Sequence, residues 1–202
     1  EETIMATSRP NRTISQFKSE LSGGGARPNL FEVELSTFPS AVSTDWDASK
    51  FRFMCKSAAL PAQNIAAIDV PFRGRIFKVA GDRTIDTWTV TVINDEDFSL
   101  RRAFEDWSEA IARLENNIGA TNPGSYMANA NVFQLGRGSV INSTNNLGSS
   151  NSVLAEYEFQ DIFPTNVSQI DLSYDSSDTL EEFTVEFQVQ SFRVLGAGGP
   201  NA

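Results

Sequence analysis

The chain has 202 residues, no histidine, a single cysteine (Cys55) and 26 acidic against 16 basic side chains, for a net charge of −10. These counts exclude an internal disulfide and a zinc or iron–sulfur site built from thiols and imidazoles, and a chain of this charge should repel nucleic acid on average. A chain of this length folds as one domain that buries roughly 70% of the surface its unfolded form exposes. With no run of about 18 apolar residues and no basic-then-apolar start, the expectation is a soluble protein kept inside the cell or released by lysis.

Residues 1–26 are polar, lack an apolar period and end in Ser22-Gly23-Gly24-Gly25, which predicts a flexible arm. The segment NLFEVELS then alternates, with Phe31, Val33 and Leu35 on one face and Glu32 and Glu34 on the other, as a half-buried strand does. FRFMCK repeats the pattern with Phe51, Phe53 and Cys55, so the two segments are expected to form a hairpin across STFPSAVSTDWDAS. Its tip carries Phe38 and Trp46, which either face a partner or fold back onto the parent sheet. Further strands are expected at DVPFRGRIFKVA, IDTWTVTVI, VLAEYEFQDIF, QIDLSY and EEFTVEFQVQSF, seven in all. Residues 79–97 read as one strand between two charged clusters.

One segment has a different period. From Leu100, the residues Phe104, Trp107, Ile111, Leu114 and Ile118 recur at steps of three and four, a helical stripe that Asp97 or Ser99 can cap and Gly119 can end. Acidic residues crowd its start, as the helix dipole favours. Residues 121–152, rich in Asn, Ser and Gly, read as a long loop with at most a short hairpin, and residues 196–202 as a tail. The expected fold is therefore mainly β, an antiparallel sandwich or barrel with one amphipathic helix, in a single domain over residues 27–195.

Catalytic chemistry finds little support. Without histidine the commonest general base is missing, and only Lys18, Lys50, Lys56 and Lys78 could take its place. Cys55 lies on the apolar side of its segment, the position of a structural thiol. The glycines near Gly74 and Gly136 are turn residues rather than a phosphate-cradling loop, and Asp175 to Asp178 lacks the glycine and terminal glutamate of a calcium loop. No cofactor or metal is expected.

Five blocks in order carry a resemblance: ARPNLFEVEL, CKSAALPA, AGDRTIDTWTVTVINDE, RRAFEDW and FPTNVSQIDLSYD. Together they resemble the tail tube proteins of contractile-tailed bacteriophages of the T-even type, over roughly residues 26–192. The resemblance implies a non-enzymatic virion subunit, assembled in the bacterial cytoplasm, whose hexameric rings stack into a tube with a continuous inner β-barrel. It also implies a tail sheath around the tube, a baseplate initiator and a tail terminator at its ends, and DNA passing through without specific binding.

Within the blocks the expected interface and motif residues are Pro28, Asn29, Leu60, Pro61, Gly81, Asp82, Arg83, Trp88, Asn94 and Asp95, followed by Phe104, Trp107, Pro164, Thr165 and Asn166. Phe38 and Trp46 are candidates for ring-to-ring stacking. Glu32, Glu34, Asp86, Glu156, Glu158 and Glu186 are candidates for a channel lining that DNA does not stick to. The alternatives on the same fold are a baseplate tube initiator and the tube of a phage-derived injection system. From other classes come a β-sandwich carbohydrate-binding module, which predicts a stable monomer, and a carboxylate-based glycosidase, which predicts turnover.

Overall fold

A computed structural model describes residues 13–21, 25–42, 46–136, 153–175 and 177–195. The long strand β7 (Val153–Val167) is the hinge of the fold. Its first part pairs with β6 (Ala128–Leu135) and β9 (Ser191–Leu195), and its last part with β8 (Glu182–Gln188). β1 (Phe31–Thr37) extends the first half beyond β6, while β5 (Trp88–Ile93) and β2 (Cys55–Ala58) extend the second beyond β8. All pairings are antiparallel.

β7 changes partner at a bulge where Gln160 and Asp161 oppose Asn129, and Asp161 takes the left-handed conformation with φ 53°. The Asp161 amide donates to Asn129 Oδ1 at 3.1 Å, which gives the extra residue a partner and lets the strand bend. The apolar faces of the two halves meet across this bend, with Trp88 of β5 stacked on Phe159 of β7 at 4.8 Å. Helix α3 (Ser99–Ile111) closes the core with Leu100, Ala103, Phe104 and Trp107. Phe104 meets Phe183 and Phe187 edge-on at 6.1 and 6.0 Å, and Trp107 Nε1 donates to the Tyr126 carbonyl at 2.6 Å. No polar side chain is buried among the described residues, so the core is held by apolar area and ring packing.

The architecture agrees with the expected mainly β class, but several elements differ. FRFMCK is not a strand: residues Ala48–Met54 form helix α2, started by the Asp47 carboxylate accepting from the Lys50 amide at 2.9 Å. Helical phasing buries Phe51 and leaves Phe53 exposed, whereas a strand would have turned both inward. The expected β1–β2 hairpin is accordingly absent, since β1 pairs with β6 and β2 with β5. DVPFRGRIFKVA holds two strands, β3 (Gln63–Phe72) and β4 (Arg75–Ile85), and residues 79–97 break at Asp86 and Thr87 before β5 begins. QIDLSY joins no ladder, because it forms the connection between β7 and β8.

The expected loop over residues 121–152 starts with a short helix α4 (Pro123–Tyr126) and the central strand β6; residues 137–152 lie outside the described residues. α3 ends at Ile111 rather than Gly119, which leaves Leu114 and Ile118 exposed. Its N-cap is Phe98 at φ 55°, with Asp97 accepting from the Ser99 amide, and its first turn contains no acidic residue. Within the amino-terminal arm, residues Ile14–Glu20 form a helix, α1, whose Thr13 and Gln16 make a reciprocal capping box. Residues 1–12 and the tail over 196–202 lie outside the described residues.

Truncating Phe104 to alanine is expected to lower unfolding stability by about 3–5 kcal/mol in urea melts. Leu114→Ala, at a site 96% exposed, is expected to change it by less than about 0.5 kcal/mol.

Candidate functional site: an assembly surface

β3 and β4 pair only with each other and form a ribbon apart from the main sheet. They turn through Arg73 (φ 46°) and Gly74 (φ 83°), a two-residue connection with both residues left-handed, whose twist matches the strands it joins. Gly81 allows a close approach: a Cβ there would sit 3.0 Å from the Ala66 carbonyl oxygen and 3.1 Å from Ile68 Cγ1, tight enough that the strands would have to shift by a few tenths of an ångström. Ten residues of β3 span ~33 Å.

Register divides the ribbon into two unlike faces. The cross-strand pairs Ile68–Val79, Val70–Phe77 and Phe72–Arg75 share one side, and Asp69–Lys78 and Ala67–Ala80 the other. The first side thus carries Ile68, Val70, Phe72, Phe77 and Val79, each between 42% and 66% exposed. The second carries the Asp69–Lys78 ion pair at 3.1 Å and alanines, with the exposed Ile65 and Ile76 set apart from one another on either side of them. A continuous apolar face that its own chain leaves in water marks a surface built for a partner.

The ribbon grows out of the β2–β5–β8 half. β3 follows β2 and β4 precedes β5, and the Ala59 amide donates to the Thr89 carbonyl at 3.0 Å, as does Asp86 to Ala62 at 3.2 Å. The outward face of this half is polar, with Thr89, Thr91, Thr184 and Glu186 in neighbouring register and Lys56 bound to Glu182 at 2.5 Å. The other half turns a second polar face outward. There Glu34 binds Arg52 at 2.6 Å, Glu158 lies 3.6 Å from Arg193, and Asn131 donates to Glu156 at 2.8 Å.

The sequence-derived candidates therefore separate into groups. Glu32, Glu34, Glu156 and Glu158 share the β1–β6–β7–β9 half, Glu186 belongs to the opposite half, and Asp86 accepts from Asn64 at 3.0 Å at the base of the ribbon. Trp88, Phe104 and Trp107 are fully buried within the chain, so they are core rather than interface residues. Phe38 and Trp46 fold back: they stack on each other at 4.6 Å and pack against Trp107, Phe51 and Phe104, which leaves both half-buried.

Asp82 and Arg83 stand exposed on strand β4 instead of in a turn, and among the described residues neither has an ion-pair partner. Pro28, Asn29 and Leu60 are also exposed, Pro61 is half-buried, and Pro164 is buried beside exposed Thr165 and Asn166. Thr165 Oγ1 donates to the Glu186 carbonyl at 3.1 Å. The ribbon escaped sequence reading because DVPFRGRIFKVA reads as one strand even though Gly74 within it is a turn residue, and its faces are set by a register that alternation alone does not give.

Asn94 and Asp95 act inside the chain. Asn94 Nδ2 donates to Glu181 at 3.0 Å, joining the end of β5 to the start of β8. Asp95 and Asp97 both bind Lys50, at 2.9 and 2.5 Å, and tie α2 to the turn before α3. Hydrogen bonds from Lys50 hold the Asp97 carboxyl down at about 2 and lower Asp95 as well, while the same bonds raise Lys50. Burial pushes the Cys55 thiol up to about 12, so it stays protonated and unreactive at neutral pH. Among the described residues no cluster of three metal-ligating side chains occurs.

Residues 26–195 match the family model described as phage tail tube protein. The chain is 38% identical over 164 residues to the tail tube protein gp19 of Enterobacteria phage T4, covering 81% of this chain and 88% of that one. It is 26% identical over 181 residues to the tail tube protein of Serratia phage KSP90, covering 87% and 93%. In fold it is similar to a chain of the anti-feeding prophage cap (TM-score 0.55, 15% identity, 97% and 100% covered). A chain of the sheath–tube complex of an extracellular contractile injection system is similar too (TM-score 0.54, 13% identity, 92% and 99% covered).

Depressed carboxylate pKa values contribute stability that is present above the unfolded value near 3.9 and lost as pH falls through the folded one. Lys50→Met is therefore expected to flatten the acid limb of the stability profile between about pH 4 and pH 2, measured by denaturant midpoints at each pH.

Proposed function

The chain belongs to the phage tail tube protein family and is a structural subunit of a contractile tail and a component of the virion, and from that premise we propose how its surfaces build the tube. Six copies close into a ring, the β3–β4 ribbon of each copy crosses onto its neighbour, and the rings stack into the inner tube. The observation that carries this reading is the ribbon's uncovered apolar face. Charge supports it: the ribbon bears Arg73, Arg75, Lys78 and Arg83 against Asp69 and Asp82, a net of +2 in a chain of net −10. A cationic ribbon is attracted to an acidic body and repelled by another ribbon.

Because the ribbon continues the β2–β5–β8 half, a ring closed through it draws these strands into the continuous barrel and turns their polar face to the channel. Closing the strands between copies also removes the open edge at β2, which would otherwise invite stray pairing. Glu186, Glu182 and Asp86 then belong to the channel wall, and Glu32, Glu34, Glu156 and Glu158 to the other face. A threonine- and carboxylate-lined wall gives passing DNA no cation to hold. The role is structural and not catalytic; a sheath encloses the tube, and an initiator and a terminator hold its ends, consistent with the sheath–tube and tube-cap assemblies that contain neighbours of this fold.

Concentrated wild-type protein offered a baseplate seed is expected to form hollow tubes of uniform width in electron micrographs, and persistent monomers would overturn the reading. Phe72→Ser/Phe77→Ser, which alters only exposed positions, is expected to keep the wild-type melting profile and to lose tube formation. Glu182→Lys/Glu186→Lys is expected to assemble yet slow DNA release from reconstituted tails, most strongly at low salt.

A further inference from the structure

Among the described residues α1 stands uncovered. Ile14, Phe17 and Leu21 recur at steps of three and four and are 76%, 65% and 46% exposed, and no residue of the helix is buried. A helix of seven residues is far below the length that is stable alone in water, so its capping box specifies a shape that only docking can maintain. It also lies before residue 26, where the match to the tail tube family begins. The helix therefore lies outside the matched part of the chain, while the ribbon lies within it.

The chain offers a second uncovered apolar face of matching size. The stripe from Ile14 to Leu21 is about 10 Å long. The ribbon patch from Ile68 to Phe72 is about 13 Å long and two strands wide, the footprint of one such helix. In the single chain the two faces leave each other exposed. Ten residues, 21–30, separate α1 from β1; fully extended they would span at most roughly 35 Å, and the Leu30 amide closes a turn on the Arg27 carbonyl at 3.2 Å.

Resting on the ring reading above, we propose that α1 of one copy seats on the apolar face of the β3–β4 ribbon of a second copy, Ile14, Phe17 and Leu21 covering Ile68, Val70 and Phe77. The helix is a clasp over the ribbon once it has crossed the boundary between copies. Its single Lys18 and Glu20 leave it neutral, so the contact is apolar and resists salt, unlike the charge attraction that brings the ribbon in.

The test uses full-length chains carrying Cys55→Ser, one set with Phe17→Cys and another with Val70→Cys, assembled separately and as a mixture and then mildly oxidised. A disulfide-linked dimer in mixed tubes, absent from tubes of either set alone, is the expected result. Mixed tubes without that dimer overturn the proposal while leaving the ring reading intact. So does an internal disulfide, without dimer, in a chain carrying both Phe17→Cys and Val70→Cys. Failure of the wild-type chain to form seeded tubes overturns the ring reading and the clasp together. Independently, Ile14→Ser/Phe17→Ser/Leu21→Ser is expected to raise the concentration needed for assembly about tenfold or more, and an unchanged threshold would count against the clasp.

Discussion

The bend in β7 organises the rest of the molecule. One strand serves two half-sheets because a single extra residue, Asp161, is accommodated in left-handed geometry and its amide is bound by Asn129. That bend brings Phe159 against Trp88 and lets the apolar faces of both halves close on each other and on α3. Without it the same sequence would make a flat sheet with one apolar face in water. With it, both outward faces are polar, and the strands running into the ribbon are separated from those on the other wall.

How much of this was legible in the sequence depended on side-chain contrast. β1, β5 and β8 were readable because Val, Phe and Trp alternate there with Glu and Thr. β6 was not, although Ala128 to Phe133 alternate, because the inward residues Ala128 and Ala130 are small and the outward Asn129 and Asn131 have the composition of a loop. FRFMCK satisfied both periods over six residues, and the decisive signal lay outside it, in the Asp47 cap. The helical stripe extended past Ile111 on paper because Leu114 and Ile118 keep its phase, yet the core they would need ends where α3 leaves the sheet.

The candidate site was less legible than the fold. The family and its role could be read from five ordered blocks, since motifs survive without any knowledge of geometry. Which residues face outward could not, because a strand's two faces are interchangeable until register is known. Six carboxylates that looked equivalent in sequence fall on two different faces and one junction. Trp88, Phe104 and Trp107, conspicuous by size, turned out to hold the subunit's interior.

The uneven charge of the ribbon has a kinetic meaning for a growing polymer. A patch that is attracted to a different part of its own kind, and repelled by its own copy, joins molecules only in one sense. Two free subunits meeting ribbon to ribbon separate again, and a filament built from such contacts is polar, with unlike ends that grow by unlike chemistry. The Arg and Lys side chains beside the apolar stripe also discourage premature clumping while subunits wait for a template. On the proposed assembly, directionality then rests on the charge difference between one hairpin and the acidic body it meets, before any second protein takes part.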